Sequence, residues 1–168
     1  QLISADTLVN AEFTSDALAR NINNSSANIV HLATHGQFSS NLEDTFLATW
    51  EGRLGVKELS EILQARGRSD AIELLVLSAC DTAAGDDRAA LGLAGLAIKS
   101  GAQATVATLW PVNDKAAAQL MRVFYQKIAQ SAVNKAEALR QAQLTLLADK
   151  SYSDPFFWSA YTLIGNWQ

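Results

Sequence analysis

The sequence predicts an α/β fold, a three-layer αβα sandwich with a mainly parallel central sheet. Three observations predict it. Short β-branched or apolar runs alternate with segments of helical periodicity along the whole chain. The runs 72-IELLVLS-78 and 104-ATVATLW-110 are apolar almost throughout, as strands buried on both faces are. A chain of 168 residues, 49% hydrophobic and 18% charged, can build one substantial core.

The elements follow in order. Thr14 has the side chain of an N-cap, and Leu18 and Ile22 share a face of the helix after it. The turn-forming 23-NNSS-26 leads to a strand at 28-NIVHLA-33. A polar loop after Gly36 precedes 45-TFLATW-50, a strand or hairpin arm ending before Glu51 and Gly52. In 55-GVKELSEIL-63, Val56, Leu59 and Ile62 or Leu63 recur at helical spacing. Next come the strand 72–78, a small-residue helix over 89–100 and the strand 104–110. Asp114 caps or opens a helix striped by Leu120, Phe124 and Ile128, with Arg122 and Gln126 outside the stripe. A further helix spans 135–148, Asp154 and Pro155 break it, and 156-FFWSAYTLIG-165 reads as a final aromatic strand.

Thirteen basic and seventeen acidic residues give a net charge of −4 without a basic cluster, which argues against nucleic acid or an anionic membrane as partner. One cysteine cannot close an internal disulfide, so a reducing, cytoplasmic setting is expected. No apolar run is long enough to span a bilayer. Residues 1–168 read as one domain, and the opening Gln1 suggests a piece of a longer chain. No Gly-Lys-Ser/Thr phosphate loop, Gly-x-Ser-x-Gly elbow or spaced dinucleotide glycines occur, and no cofactor is expected.

Parallel α/β sheets carry their sites beyond the carboxyl ends of strands. His35 and Cys80 both stand there, 45 residues apart. If their strands are neighbours, an imidazole can take the thiol proton and the thiolate can attack a carbonyl. The N–H groups of Gly36 and Cys80 would then hold the developing oxyanion. A single Cys at a strand end can equally be a core packing residue, and a single His a structural hydrogen bonder. His31 reads as a hydrogen-bonded core histidine, and two His with one Cys make a poor metal set, so no metal is expected.

These residues carry a resemblance. The pair 34-THG-36 and 77-LSACDTA-83 resembles the His-Gly and Ala-Cys motifs of caspase-like cysteine peptidases. In order along the chain, 30-VHLATHG-36, 75-LVLSACDTAAG-85, 108-TLWPVND-114, 124-FYQKI-128, 136-AEALRQAQ-143 and 156-FFWSAYTLIG-165 resemble the CHAT family. Those are bacterial caspase-like domains often fused to tetratricopeptide repeats. The resemblance implies a caspase-like fold, with His35 as general base and Cys80 as nucleophile. It also implies a regulatory domain or partner, such as repeats N-terminal to this segment. The family is similar to separase, whose equivalent of 109–114 carries an acid that accepts a basic P1 side chain. By that likeness Asp114 lines the substrate pocket; its alternative is a helix cap or first-turn acid. Asp81 lines the same pocket or accepts backbone N–H groups. The segment 84–92 is too short for the processing linker of caspases, although Arg88 offers a cut site, so activation by an attached domain or partner is expected.

The leading expectation is therefore a cysteine endopeptidase domain acting on a protein or peptide, with a basic P1 residue. The alternative is a non-catalytic scaffold or signalling module that assembles through the edge of its last strand, unless the helix at 135–148 buries that strand. A small-molecule hydrolase or nucleotide binder rests on fold analogy alone.

Overall fold

A computed structural model describes residues 5–39, 41–65, 72–78, 81–82, 101–130 and 132–168. Cys80, Arg88, the segment 84–92 and the helix expected over 89–100 lie outside the described residues. The described elements are a 3-10 turn at Asn10–Glu12, α1 (Ser15–Asn24), β1 (Ile29–Leu32), β2 (Gly36–Phe38), a 3-10 turn at Leu42–Asp44, β3 (Phe46–Ala48) and β4 (Arg53–Gly55). They continue with α2 (Val56–Gln64), β5 (Leu74–Leu77), β6 (Asp81–Thr82), β7 (Ala104–Thr108), α3 (Asp114–Ile128), α4 (Lys135–Ala148), α5 (Pro155–Trp158) and β8 (Tyr161–Gly165).

The central sheet has the order β1-β5-β7-β8. Its first two pairings are parallel and the third, β7 with β8, is antiparallel. Side chains alternate across it as a pleat requires. Leu75 and Leu77 join Leu18 and Ile22 of α1 and Leu59, Ile62 and Leu63 of α2 in one core. Leu74 and Val76 join Leu120 and Phe124 of α3 and Ala142 and Leu146 of α4 in the other. Two cores on opposite faces of one mainly parallel sheet make the expected three layers.

Helix starts follow their caps. Thr14 accepts from the N–H of Ala17, and Asn134 from that of Glu137. Asn113, not Asp114, caps α3 by accepting from Lys115 and Ala116. Asp114 is the exposed first residue of that helix.

The reading of 156–165 as one strand needs correction. Asp154 accepts from the N–H of Phe156, and Pro155, with its fixed φ, occupies the first helical turn. The pair therefore starts a helix, α5, and the strand begins only at Tyr161, opposite Thr108. Within the described sheet β8 is an edge strand.

A second sheet, in the order β4-β3-β2-β6, stands beside the carboxyl ends of β1 and β5. Its hairpin turns at Thr49–Gly52, where Gly52 holds a φ of 151°, a region side chains disfavour. Glu51 at the tip accepts from the N–H of Ser15, which places a carboxylate at the positive end of α1.

Candidate active site

β1 and β5 are parallel neighbours, with Leu32 opposite Leu77. The N–H of Ser78 extends the ladder by one bond, donating to the Leu32 carbonyl at 3.0 Å. Beyond that bond β1's chain runs through Ala33 and Thr34 to His35, which is exposed, and then enters β2. The chain after β5 re-enters the described residues at Asp81, in β6. There β2 and β6 pair in parallel, Gln37 opposite Asp81 and Phe38 opposite Thr82. The two chains thus leave the large sheet side by side and join the small one side by side.

His35 is held through its backbone by Ala48 of β3. The N–H of Ala48 donates to the His35 carbonyl at 2.7 Å, and the Thr34 hydroxyl donates to the Ala48 carbonyl at 2.8 Å. That first bond flanks a Gly36–Leu47 pair whose own groups do not bond to each other. The Gly36 N–H is therefore turned away from β3, toward the side on which β6 lies. Glycine brings no side chain of its own over that N–H.

Of the residues singled out from the sequence, His35, Gly36 and Asp81 are gathered by β2 and β6. Asp114 is not gathered with them; it stands past the end of β7, the strand next to β5. Between β7 and α3, the Trp110 Nε1 donates to the Phe156 carbonyl at 3.0 Å and the two rings stack, which ties this loop to α5. Among the described residues no cluster of three His, Cys, Asp or Glu could hold a metal ion. No described helix is long and apolar enough to cross a membrane.

His31 is hydrogen bonded as expected, but it lies on the outer strand of the described sheet and keeps an exposed face. Its Nδ1 is 2.9 Å from the Tyr125 hydroxyl and its Nε2 is 3.1 Å from Ser78 Oγ. Desolvation on the side of the ring that meets Tyr125 and Ser78 lowers its pKa to about 4, so it is neutral at neutral pH. Tyr125 is pushed well above its usual value for the same reason. Neither Tyr125 nor Ser78 stood out in the sequence. Tyr125 is one place off the Leu120–Phe124–Ile128 stripe, and Ser78 is the first polar residue after an apolar run.

A mainly parallel sheet between two helical layers, with a histidine and glycine past the carboxyl end of the outer strand of the described sheet, is the architecture of a caspase-like domain. The family model described as CHAT domain matches residues 2–166, and the chain belongs to that family. It is also similar to Tetratricopeptide repeat protein 28 of Mus musculus, 32% identical over 99 residues. That match covers 56% of this chain and 4% of the relative, so the chain spans a small part of that protein.

Proposed function

We propose that the domain is a cysteine endopeptidase that cleaves a protein or peptide partner through His35 and Cys80. One observation carries the reading: two parallel pairings bracket both residues, Leu32 with Leu77 before them and Gln37 with Asp81 after them. Counting forward from the first pairing sets His35 against position 80. Counting back from the second sets Gly36 against it. The chain on the histidine side holds one more residue between the pairings, so a base and an oxyanion donor both fall opposite the cysteine's place in the count.

In this mechanism His35 takes the proton from the Cys80 thiol, and Sγ attacks the scissile carbonyl carbon. The N–H groups of Gly36 and Cys80 hold the tetrahedral oxyanion. Its collapse breaks the C–N bond, His35 gives its proton to the leaving amine, and a thioester remains. Water, deprotonated by His35, then attacks the thioester carbon; the C–S bond breaks, the carboxylic acid product leaves, and His35 returns its proton to Cys80 Sγ. Asp114 accepts a basic P1 side chain and Asp81 borders the same pocket. Substrate selection and activation depend on a regulatory domain or partner, and the likeness to a tetratricopeptide repeat protein supports helical repeats in that role.

Iodoacetamide labelling tests the dyad, because Cys80 is the only cysteine. Labelling of the folded protein should be fast near neutral pH and slow markedly in His35→Ala; equal rates remove His35 as base. A second reading, a non-catalytic module assembling through a strand edge, is favoured by the position of β8 at the border of the central sheet. Partner binding retained in Cys80→Ala, together with no turnover of that partner by the parent protein, would select it.

A further inference from the structure

Tyr125, His31 and Ser78 form a chain of polar groups that the proposed chemistry does not use. They come from three places: α3, β1 at the border of the described sheet, and the residue directly after β5. The Tyr125 and His31 rings also touch, with centroids 5.7 Å apart and planes tilted by 42°. A neutral imidazole has one N–H and one lone pair, so the chain runs in a single direction at a time. Either Tyr125 donates to Nδ1 while Nε2–H donates to Ser78, or both bonds reverse. Losing one end therefore releases the ring and changes the bond at the other end.

Ser78 is held twice at the mouth of the two strands, by its N–H on the Leu32 carbonyl and by its hydroxyl on His31. It stands two residues before Cys80, and Leu32 stands three before His35. A side chain that served packing alone would need neither the second bond nor the bridge to α3.

We propose that the Tyr125–His31–Ser78 chain is a positioning element, fixing the end of β5 against the end of β1 so that the segments carrying Cys80 and His35 leave at a set spacing. The proposal rests on the dyad reading above. These three are positioning residues, acting through 79–80 and 33–35.

The test measures the iodoacetamide labelling rate of Cys80 against pH in the full chain, with thermal midpoints recorded in parallel. The proteins are the parent, Ser78→Ala, Ser78→Thr, Tyr125→Phe, the Ser78→Ala/Tyr125→Phe double variant, and His35→Ala. Ser78→Thr keeps the hydroxyl and should match the parent profile. Ser78→Ala and Tyr125→Phe should each slow labelling at neutral pH by about tenfold, short of the roughly 10²-fold that a 1 Å misplacement can cost. Their pH midpoints should move toward that of His35→Ala, and the double variant should be no slower than the slower single one. Unchanged profiles in both single variants, beside an altered one in His35→Ala, overturn the positioning role alone. An unchanged profile in His35→Ala removes the dyad and the positioning with it. Rates that fall only in proportion to lost thermal stability, or that Ser78→Thr fails to rescue, also overturn it. Should Ser78→Ala not fold, Tyr125→Phe decides.

Discussion

Leu32 of β1 and Leu77 of β5 face each other in parallel register, 45 residues apart. Gln37 of β2 and Asp81 of β6 face each other 44 residues apart. The offset changes by one between the two sheets, so the chain around His35 must fit one extra residue where its neighbour has none. An extra residue has to be accommodated by the backbone, and here two bonds hold that stretch, from the Thr34 hydroxyl to the Ala48 carbonyl and from the Ala48 N–H to the His35 carbonyl.

Thr34→Val tests that tether. The substitution keeps the shape and removes the hydroxyl, leaving the half-buried Ala48 carbonyl short of a donor. The expected cost is about 1 kcal/mol. A thermal or urea melt reads the loss, and Cys80 labelling should slow more than in a surface variant of equal stability loss.

His31 sets a pH dependence. Its pKa falls from 6.5 in the unfolded chain to about 4 in the folded one. Below 6.5 the unfolded state takes up a proton that the folded state refuses. Stability is therefore full above that value and declines as pH falls from 6.5 to about 4, where both states are protonated. The difference between parent and His31→Gln thermal midpoints, followed from pH 7.5 to 4, should narrow across that window. A constant difference would show that the ring titrates normally.

Glu137 contributes in the acid range. Hydrogen bonds from Arg140 and Gln141 hold its carboxyl down, from 4.5 to about 2. Its contribution is present above pH 4.5 and is lost as pH falls toward 2. The pair sits at the surface, so Glu137→Gln should change acid unfolding only slightly, and less so in high salt.

Much of this architecture was legible because its signals are local. Leu74 to Leu77 form an unbroken apolar run, which only a strand covered on both sides tolerates, and both cores use it. Thr14 caps the helix expected after it, and Lys135–Ala148 has the expected limits. Of the second sheet only the hairpin arm at 45–50 was legible, as β3; β2, β4 and β6 are two or three residues long and take their pairing from neighbours in space. In 156-FFWSAYTLIG-165, aromatic strand propensity outweighed the Asp154 cap and Pro155, which together dictate a helical turn. At the site, matching strand ends were readable from two similar motifs. The Tyr125–His31–Ser78 chain was not, because a hydrogen bond spanning 94 residues leaves no periodic trace.

The opposite end of the sheet carries a partly buried ion pair. Lys135 Nζ lies 3.2 Å from Glu73 Oε1, with the lysine side chain 6% exposed and the glutamate 43%. Lys135 also donates to the Gln168 carbonyl, and Glu73 accepts from Asn28 at 2.7 Å. Glu73 thus joins the starts of β1 and β5 to the start of α4. Glu73→Leu leaves a buried ammonium short of its counter-charge, at a cost of about 1–3 kcal/mol. Adding Lys135→Met should recover part of that loss. A double-mutant cycle by chemical denaturation measures it, and a double variant no better than Glu73→Leu would mean the pair is not coupled.

Asp114 and Asn113 are adjacent, and the structure separates their duties in a way that makes the pocket role testable. Asn113 satisfies two N–H groups at the start of α3, so Asn113→Ala should cost about 1 kcal/mol of stability. Asp114 bonds no cap and only places negative charge in the first turn, so Asp114→Asn should cost no more than about 0.5 kcal/mol. The carboxylate is thus free for a ligand at little expense to the fold. If it accepts a basic P1 side chain, Asp114→Asn should weaken the advantage of Arg over norleucine in acyloxymethyl ketone probes of Cys80 by at least tenfold. Asn113→Ala should leave that ratio unchanged while lowering the melting point. An Arg preference that survives in Asp114→Asn would assign Asp114 to the helix alone.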